Sequence, residues 1–203
     1  MKILFLTNNI VSITLFQYIK NKEKDVILFE AKLSKENIIE IKPDLIISYN
    51  YRYIISREII NIMNNRVINL HISYLPFNRG AYPNVWSFLD DTPKGVTIHL
   101  IDEGIDTGDI ICQKEVIFEN EDEETLRTSY NKLHREIQNL FIDNYEDIKS
   151  LSFNPKKQPH FGTIHYIKDF EKLKHLLGDE GWDIKIKELK IRYNRWLYEQ
   201  NNL

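Results

Sequence analysis

Cysteine is nearly absent from this sequence, and its scarcity limits the chemistry that the chain can perform. Cys112 is the single cysteine among 203 residues, which excludes an internal disulfide and fits a reducing compartment. It follows Ile110 and Ile111 directly, and this apolar context is typical of a buried strand. We therefore expect Cys112 to be a structural residue rather than a catalytic thiol.

Long hydrophobic runs are also missing. The apolar stretch near the N-terminus, residues 2–7, is too short for the core of a signal peptide. No later stretch approaches the ~20 consecutive apolar residues that a membrane-spanning helix needs. The sequence thus predicts a buried first strand, no contact with a membrane and a cytoplasmic protein.

An excess of positive charge is absent as well. The formal net charge is −3 at pH 7 and the pI is about 6.1. Lysine and arginine are interleaved with aspartate and glutamate, whereas proteins that bind nucleic acid usually present a basic stripe that neutralises phosphates. We therefore expect no nucleic-acid partner.

What the sequence does contain is an alternation of short apolar strands and helical patterns. Runs such as Leu45-Ile46-Ile47 are apolar on both faces, which is typical of a parallel sheet covered by helices. The prediction is an α/β fold with an open, doubly wound, mostly parallel (Rossmann-like) sheet. The predicted strands are 2–7, 25–30, 44–49, 66–70, 95–101 and 109–117, and the predicted early helices are about 10–22, 34–41 and 56–64.

The segment 154–160, with Pro155 and Pro159, is the best candidate for a domain boundary. It divides the chain into a main domain, 1–153, and a small C-terminal extension, 154–203. Before this segment, an acidic stretch at 119–124 and Thr125 are expected to cap a helix that runs to about residue 150.

Beyond the boundary we expect a strand near 161–167, a short helix from about Asp169 and a last helix from about Asp183. Apolar residues recur at helical spacing along the last helix, namely Ile186, Leu189, Tyr193, Trp196 and Leu197. Such a stripe must pack on the main domain or on another subunit. It therefore suggests a homodimer.

Two polar segments follow strands of the predicted sheet, at the edge where open α/β sheets bind ligands. Asn69 and His71 are two residues apart, so they point to the same side of an extended backbone. Asp106 lies in a glycine-containing loop after a later strand. This trio suits acyl transfer to an amine, because a histidine can take the proton, an asparagine amide can donate to the oxyanion and an aspartate can orient the imidazole.

The residues alone leave two other interpretations open. Asn69 and His71 could simply satisfy backbone groups where a strand ends. Alternatively, His71, His99 and Asp106 could be ligands of a zinc hydrolase, although their spacing matches no compact zinc motif. Otherwise His99 is expected on a strand face in a structural role. Three further histidines are expected at the surface: His134, His160 and His175.

A longer string of motifs surrounds the trio between roughly positions 45 and 117. It comprises Asn69-Leu70-His71-x-Ser73-x-Leu75-Pro76, Arg79-Gly80, Gly95-Val96-Thr97 and Gly104-Ile105-Asp106-Thr107-Gly108-Asp109. The string resembles the signature of the 10-formyltetrahydrofolate-dependent formyltransferases. The resemblance implies that 1–153 is the catalytic domain, with Asn69 and His71 in catalysis and Asp106 as their acidic partner. It also implies 10-formyltetrahydrofolate as co-substrate and no metal.

The same resemblance implies where the folate lies. It would rest against residues 48–55 and the 102–106 loop, and backbone groups would hold the pterin. The candidate cofactor-binding residues are Tyr49, Tyr51, Arg52, Tyr53, Ile54, Asp102, Gly104 and Ile105.

Members of this family differ in the amine that they formylate. Glycinamide ribonucleotide formyltransferases carry a glycine- and serine-rich phosphate loop after the first strand, whereas residues 7–12 here contain no glycine. Methionyl-tRNA formyltransferases add a basic C-terminal domain, but only about 50 residues follow Pro155 here. Formyltetrahydrofolate hydrolases carry an extra N-terminal domain, whereas the sheet is expected to begin at residue 2. These three alternatives are therefore disfavoured.

Segments 78–88 and 162–169 are similar to those of the sugar N-formyltransferases, which formylate amino sugars attached to nucleotides. The resemblance implies a nucleotide-linked amino sugar as substrate, either a 4-amino-dideoxyhexose, such as a dTDP- or GDP-4-amino-4,6-dideoxyhexose, or a 3-amino-dideoxyhexose. The product would serve a surface polysaccharide such as the O-antigen of lipopolysaccharide. The candidate substrate-binding residues are Asn78, Arg79, Tyr82, Asn84, Trp86, His165 and Lys168.

Within this set, Arg79 and Lys168 would lie near the diphosphate, and aromatic residues would stack on the sugar or base. Each assignment has a structural alternative. Trp86 could be a core residue of a helix over the sheet, and His165 and Lys168 could be surface residues at a strand end. A non-catalytic module that binds nucleotide sugars is the remaining rival, since binding alone does not need the trio.

Overall fold

The computed structural model describes residues 1–202 and has an α/β architecture. Its main sheet contains six strands in the order β2-β1-β3-β4-β6-β7, and a second sheet pairs β5 with β8. The strands are β1 Lys2–Leu6, β2 Asp25–Phe29, β3 Leu45–Tyr49, β4 Val67–His71, β5 Arg79–Gly80, β6 Gly95–Leu100, β7 Ile110–Glu115 and β8 Ile164–His165. The main sheet follows the predicted strands closely, with ends that differ by one or two residues.

The central strands of the main sheet run parallel. β1 pairs with β2 on one side and β3 on the other, and β3 pairs with β4, all in parallel. Only beyond β4 does the direction change, because β6 pairs with it in the antiparallel sense. Every residue of β3 is buried, as its two-sided apolar composition predicted. The expected mostly parallel sheet is thus confirmed.

The chain forms two compact units, each assembled from three segments. The first contains residues 1–71, 97–113 and 137–158, and the second contains 72–96, 114–136 and the residues from 159 onward. The boundary proposed at 153/154 lies inside a segment of the first unit. It stays a prediction about independently folding domains.

Two early helices of the first unit begin at side-chain caps, namely α2 Lys35–Ile41 and α3 Arg57–Met63. The helix before them, α1 Ile13–Lys22, has no side-chain hydrogen bond at its cap residue, Ser12. The Ser34 hydroxyl accepts the backbone N–H of Asn37, whose side chain in turn accepts the Ser34 N–H. Ser56 caps α3 in the same way through its hydroxyl. These caps explain why both helices begin close to the positions that the sequence predicted.

The acidic stretch before the next helix, α5 Leu126–Asp143, binds lysines. Glu121 lies 3.1 Å from Lys94 Nζ and 2.5 Å from Lys190 Nζ. The stretch precedes the first turn of α5, which itself contains no acidic residue, and Glu124 accepts a hydrogen bond from the Thr128 hydroxyl of that turn. The stabilisation of the helix dipole by this stretch stays a prediction. Thr125 does cap the helix, because its hydroxyl accepts a backbone N–H of the first turn at 3.1 Å.

The helix predicted to run to residue 150 breaks at Asn144. α5 ends at Asp143, and a separate short helix, α6 Tyr145–Lys149, follows. The Asn144 side chain donates to the Leu140 carbonyl at 2.8 Å. Its backbone N–H lies within hydrogen-bond distance of both Leu140 and Phe141, so local side-chain bonding competes with the regular helical pattern.

The second unit has its own hydrophobic core, built mainly from three further helices. They are α4 Pro83–Leu89, α7 Ile167–Glu171 and α8 Ile186–Asn201. The buried core includes Val85, Trp86, Phe88, Leu126, Phe170, Leu173, Leu176, Leu177, Ile184, Ile186 and Leu189, with Tyr193 and Trp196 packed against it. Much of the predicted apolar stripe of the last helix is therefore used inside this unit.

The predicted strand at 161–167 shrinks to the two residues of β8, which pair in parallel with β5. Gly80 adopts a φ of +86°, and a Cβ added there would lie 2.2 Å from the His165 carbonyl oxygen. Only glycine accommodates this close approach of two backbones. The last helix begins at Ile186, three residues later than predicted, after a turn of 3-10 helix.

His134 lies in the core, and the predicted surface position is wrong. Its side chain is 1% exposed and packs edge-on against Tyr130, with ring centroids 4.1 Å apart. Burial lowers the pKa of His134 to about 3, so the imidazole is neutral at physiological pH.

Cys112 is half-buried, and burial raises its thiol pKa to about 11, in keeping with the expected structural role.

A carboxylate at the end of α1 ties three parts of the first unit together. Glu23 accepts a hydrogen bond from the Tyr145 hydroxyl at 3.0 Å and pairs with Lys149 Nζ at 2.6 Å. Its second oxygen lies 3.9 Å from the N-terminal ammonium. The Lys149 hydrogen bond, and to a lesser degree Tyr145 and the N-terminus, hold the pKa of Glu23 below its ordinary value of 4.5.

Glu23→Gln is expected to lower the free energy of unfolding by about 1 kcal/mol at pH 7, because charged hydrogen bonds are lost. The folded-state pKa lies below the ordinary value, so the stabilisation is complete above pH 4.5 and is lost as the pH falls through the folded value. Urea unfolding at pH 7 and near pH 3 measures the difference in the free energy of unfolding between wild type and Glu23→Gln, with exposed Glu40→Gln as the control. If that difference were the same at both pH values, the stabilising role of the Glu23 carboxylate would be contradicted.

Candidate active site

The site begins where β4 meets β6 in the first unit. Asn69 and His71 lie on β4, opposite His99 and Thr97 of the antiparallel β6. The two-residue spacing places the side chains of Asn69 and His71 on one side of the strand. Cross-strand pairing brings His99, which was expected to be structural, to the same place.

Asp106 reaches these residues from the loop between β6 and β7. Its Oδ1 accepts a hydrogen bond from Asn69 Nδ2 at 3.1 Å, and its Oδ2 lies 3.6 Å from His71 Nδ1. The carboxylate side chain is 15% exposed and that of His71 is 8% exposed, so the two groups interact in a partly desolvated setting. The structure therefore brings Asp106 to Asn69 and His71, although Asp106 lies 37 positions after Asn69 in the sequence.

His99 is a fourth member of this cluster. Its Nδ1 lies 2.7 Å from the Leu100 carbonyl, an acceptor only, so this nitrogen carries a proton. Its Nε2 lies 3.3 Å from Asn69 Nδ2 and 3.4 Å from Asp106 Oδ1. One indication of this position is visible in the sequence, because Thr97 and His99 are two residues apart and so share one face of a strand that otherwise carries apolar residues.

The orientation of the Asn69 amide follows from its neighbours. An ionised carboxylate accepts hydrogen bonds but cannot donate them, so the atom facing Asp106 must be the amide nitrogen. The same nitrogen faces His99 Nε2, which has a lone pair in the neutral tautomer. Both amide hydrogens are thus directed at protein acceptors, and the bond to His99 is the longer of the two.

Histidine and aspartate in contact also raise the question of a metal. Within residues 1–202, no group of three or more histidine, cysteine, aspartate or glutamate side chains has an arrangement that could hold a metal ion. His71, His99 and Asp106 lie together, but Asn69 Nδ2 occupies the space beside Asp106 Oδ1.

The candidate folate residues on the 49–54 segment differ in exposure. Tyr49 is completely buried, and Tyr51 turns its hydroxyl towards Ala31, to which it donates at 2.5 Å. Arg52 lies over the Tyr53 ring, with its guanidinium carbon 4.8 Å from the centroid, and Ile54 is 85% exposed. The Tyr49 side chain is therefore enclosed within the protein, whereas Tyr51 is partly exposed and its hydroxyl is used in a hydrogen bond within the protein.

The candidate folate residues of the 102–105 segment shape a tight loop. Asp102 Oδ1 accepts the Thr107 hydroxyl at 2.6 Å and the Gly104 N–H at 3.1 Å. A Cβ at Gly104 would lie 2.0 Å from the Thr107 hydroxyl oxygen, so the turn needs glycine. Ile105 is 39% exposed and presents an apolar side chain at the surface of the loop.

Several candidate acceptor residues of the second unit make internal contacts. Asn78 is fully buried and donates to Thr92 at 2.7 Å, and Asn84 donates to the Leu126 carbonyl at 2.9 Å. Trp86 belongs to the buried core, which was the alternative interpretation of this residue. These three side chains contribute to the architecture of the unit.

The other acceptor candidates are partly or fully exposed. The His165 ring stacks on Trp86 with centroids 4.0 Å apart, and its Nε2 lies 2.7 Å from Asp90 Oδ2. Tyr82 stacks on Phe170 at 4.0 Å. Exposed Lys168 has its Nζ 5.5 Å from the centroid of its neighbour Tyr166, and half-buried Arg79 lies on β5.

A family model described as Formyl transferase matches residues 10–143. A solved structure of the formyltransferase PseJ from Anoxybacillus kamchatkensis, in complex with UDP-4,6-dideoxy-4-formamido-L-AltNAc and tetrahydrofolate, is 45% identical. The match covers 93% of this chain and 97% of that chain, with a TM-score of 0.86.

Two curated relatives extend the comparison. The dTDP-4-amino-4,6-dideoxyglucose formyltransferase of Mycobacterium tuberculosis is 29% identical over 89% of this chain and 81% of that protein. The methionyl-tRNA formyltransferase of Thermodesulfovibrio yellowstonii is 35% identical over 70% of this chain but only 46% of that protein. The resemblance seen in the motif string is confirmed: this chain belongs to the formyl transferase family.

Proposed function

We propose that this enzyme transfers the formyl group of 10-formyltetrahydrofolate to the 4-amino group of a nucleotide-linked 4-amino-4,6-dideoxy sugar. The observation that carries the proposal is the 45% identity to PseJ over nearly the whole of both chains. That relative was solved with a UDP-linked 4-formamido sugar and tetrahydrofolate. The relative from M. tuberculosis is named for a 4-amino-4,6-dideoxy sugar as well.

The chemistry follows from the arrangement around Asp106. The sugar amine attacks the formyl carbon, a C–N bond forms, and the carbonyl electron pair moves to oxygen. His71 takes the proton that the amine nitrogen must lose. The electron pair then returns from oxygen, the bond between the formyl carbon and the folate nitrogen breaks, and His71 returns the proton to that nitrogen.

Asp106 fixes which nitrogen of His71 accepts this proton. A carboxylate beside Nδ1 keeps that nitrogen protonated, so the lone pair of the neutral ring lies on Nε2. After proton transfer the imidazolium faces a carboxylate at 3.6 Å, which stabilises its charge. Asp106 thus acts both on the tautomer and on the charged intermediate.

Asn69 contributes the amide donor for the oxyanion. Its bond to Asp106, 3.1 Å long, holds the side chain in place. The longer contact with His99, at 3.3 Å, is the one that can be exchanged for the oxyanion when the tetrahedral intermediate forms. Losing one such donor costs about 3 kcal/mol of transition-state stabilisation in other acyl-transfer enzymes.

The nucleotide is proposed to be UDP, because the 45% identical relative was solved with a UDP sugar. We further propose that the product serves a surface polysaccharide, and that the enzyme is cytoplasmic, where the folate pool and nucleotide sugars are made. Within residues 1–202, no helix has the length and apolar character to cross a membrane. We also propose that two chains form a homodimer. Light scattering at micromolar concentration tests this, because it measures the molar mass of the protein in solution.

The test is an acceptor panel with 10-formyltetrahydrofolate. We expect a UDP-linked 4-amino-4,6-dideoxy sugar to be converted to its 4-formamido product, detected by mass spectrometry as a gain of one formyl group. The panel includes dTDP- and GDP-linked sugars, glycinamide ribonucleotide and methionyl-tRNA. Formylation of either of the last two, or release of free formate without an acceptor, would overturn the proposal, and a binding module would show no turnover.

A further inference from the structure

The Gln158 side chain lies against the loop that carries Asp106. Its Nε2 donates to the backbone carbonyl of Asp106 at 2.8 Å and to that of Gly108 at 2.8 Å. An amide nitrogen has two hydrogens, and the two bonds use both of them. Gln158 thereby holds the two carbonyl groups on either side of Thr107.

The position of Gln158 follows from a backbone register. Ile110 and Lys156 exchange reciprocal N–H to carbonyl hydrogen bonds, each 2.8 Å long. In an antiparallel pair, moving two residues back on one strand corresponds to moving two residues forward on the other. This places Gln158 opposite Gly108, where its side chain takes over the role of a backbone donor.

The loop that Gln158 holds has an unusual backbone. Asp106 has a φ of +51°, a left-handed conformation that is unfavourable for residues other than glycine and tolerated best by asparagine and aspartate. A Cβ at Gly108 would lie 1.8 Å from the Leu100 carbonyl oxygen, so the loop also passes very close to β6. Such a conformation persists only where surrounding contacts fix it.

We propose that Gln158 is a positioning residue for formyl transfer, because it fixes the backbone on which the Asp106 carboxylate is carried. The inference rests on the proposed function, in which Asp106 orients His71. A shift of about 1 Å in a catalytic group can cost about 100-fold in rate, so a loop held by two side-chain hydrogen bonds bears directly on turnover. Gln158 acts through Asp106 and touches no reacting atom.

Gln158→Met keeps the length of the side chain and removes both donors. We expect kcat to fall about 10- to 100-fold, while KM for the folate and for the amino sugar changes by less than about threefold. Gln158→Lys restores a donor and is expected to recover most of the lost kcat. In an Asp106→Asn background, Gln158→Met should lower kcat by less than about twofold, because residues that act as a unit are not additive.

Gln138→Met is the matched control. Gln138 Nε2 also donates to a backbone carbonyl of the first unit, that of Val11 at 3.0 Å, but it does not touch the Asp106 loop. A comparable loss of thermal stability with kcat within about twofold of wild type is expected for this variant. The proposal is overturned if Gln158→Met keeps wild-type kcat, changes only KM, or adds its full effect to Asp106→Asn. A wild-type enzyme that formylates no amino sugar refutes the proposed function itself.

Discussion

Replacing His71 with asparagine is expected to lower kcat by about 10³-fold, because general acid–base catalysis contributes about 10²- to 10⁴-fold. Asparagine keeps a polar side chain of similar size at the end of β4 but cannot carry a proton between the two nitrogens. Binding of the folate does not require this proton transfer, so the dissociation constant of the folate should stay within about threefold of the wild-type value. Single-turnover kinetics with the preferred amino sugar measure the chemical step directly.

His160→Asn is the matched control for this variant. His160 is exposed, and the same substitution there should leave kcat unchanged. Circular dichroism and thermal unfolding of both variants report whether the fold is retained. If His71→Asn retained more than a tenth of the wild-type kcat, the proton-transfer role would have to be assigned to another group.

Replacing Asp106 with asparagine is expected to have a comparable effect, about 10³-fold in kcat, for a different reason. Asn69 Nδ2 requires an acceptor 3.1 Å away, so the new amide must turn its oxygen towards Asn69. Its NH₂ group then faces His71 Nδ1, which must accept, and the imidazole proton moves to Nε2. A similar replacement beside the histidine of serine proteases costs about 10⁴-fold for this reason.

Asp106→Ala separates the two contributions of the carboxylate. Alanine removes the charge but does not force the wrong tautomer, so we expect a smaller loss of kcat, about 10²-fold. Comparing the two variants by steady-state kinetics at pH 7 therefore tests the tautomer argument. Equal losses would show that the charge alone matters, and a larger loss in the alanine variant would contradict the inverted tautomer.

The fold could be predicted largely from local patterns. A strand such as Leu45–Tyr49 is apolar on both faces and leaves little choice other than a covered parallel sheet. Caps at Ser34 and Ser56 mark helix starts in the sequence itself. The short pair formed by β5 and β8 could not be predicted, because it joins residues 85 positions apart over only two residues each.

The trio of the site could be predicted because Asn69 and His71 share a strand face and the motif string includes Asp106. The contribution of His99 depends on the cross-strand register, in which Asn69 pairs with His99, and single-strand patterns do not contain that information. Gln158 was missed because the proline-containing segment around it was interpreted as a boundary. A side chain that replaces a backbone donor leaves no periodic signal in a sequence.

The half-buried Cys112 has a practical consequence for studying this enzyme in solution. Burial raises the pKa of this thiol to about 11, so very few molecules carry the thiolate at pH 7. Maleimides and disulfide reagents react with the thiolate, so we expect the native cysteine to react with them slowly. A cysteine introduced at an exposed position, such as Tyr198→Cys on α8, can therefore carry a single fluorophore without first removing a natural residue.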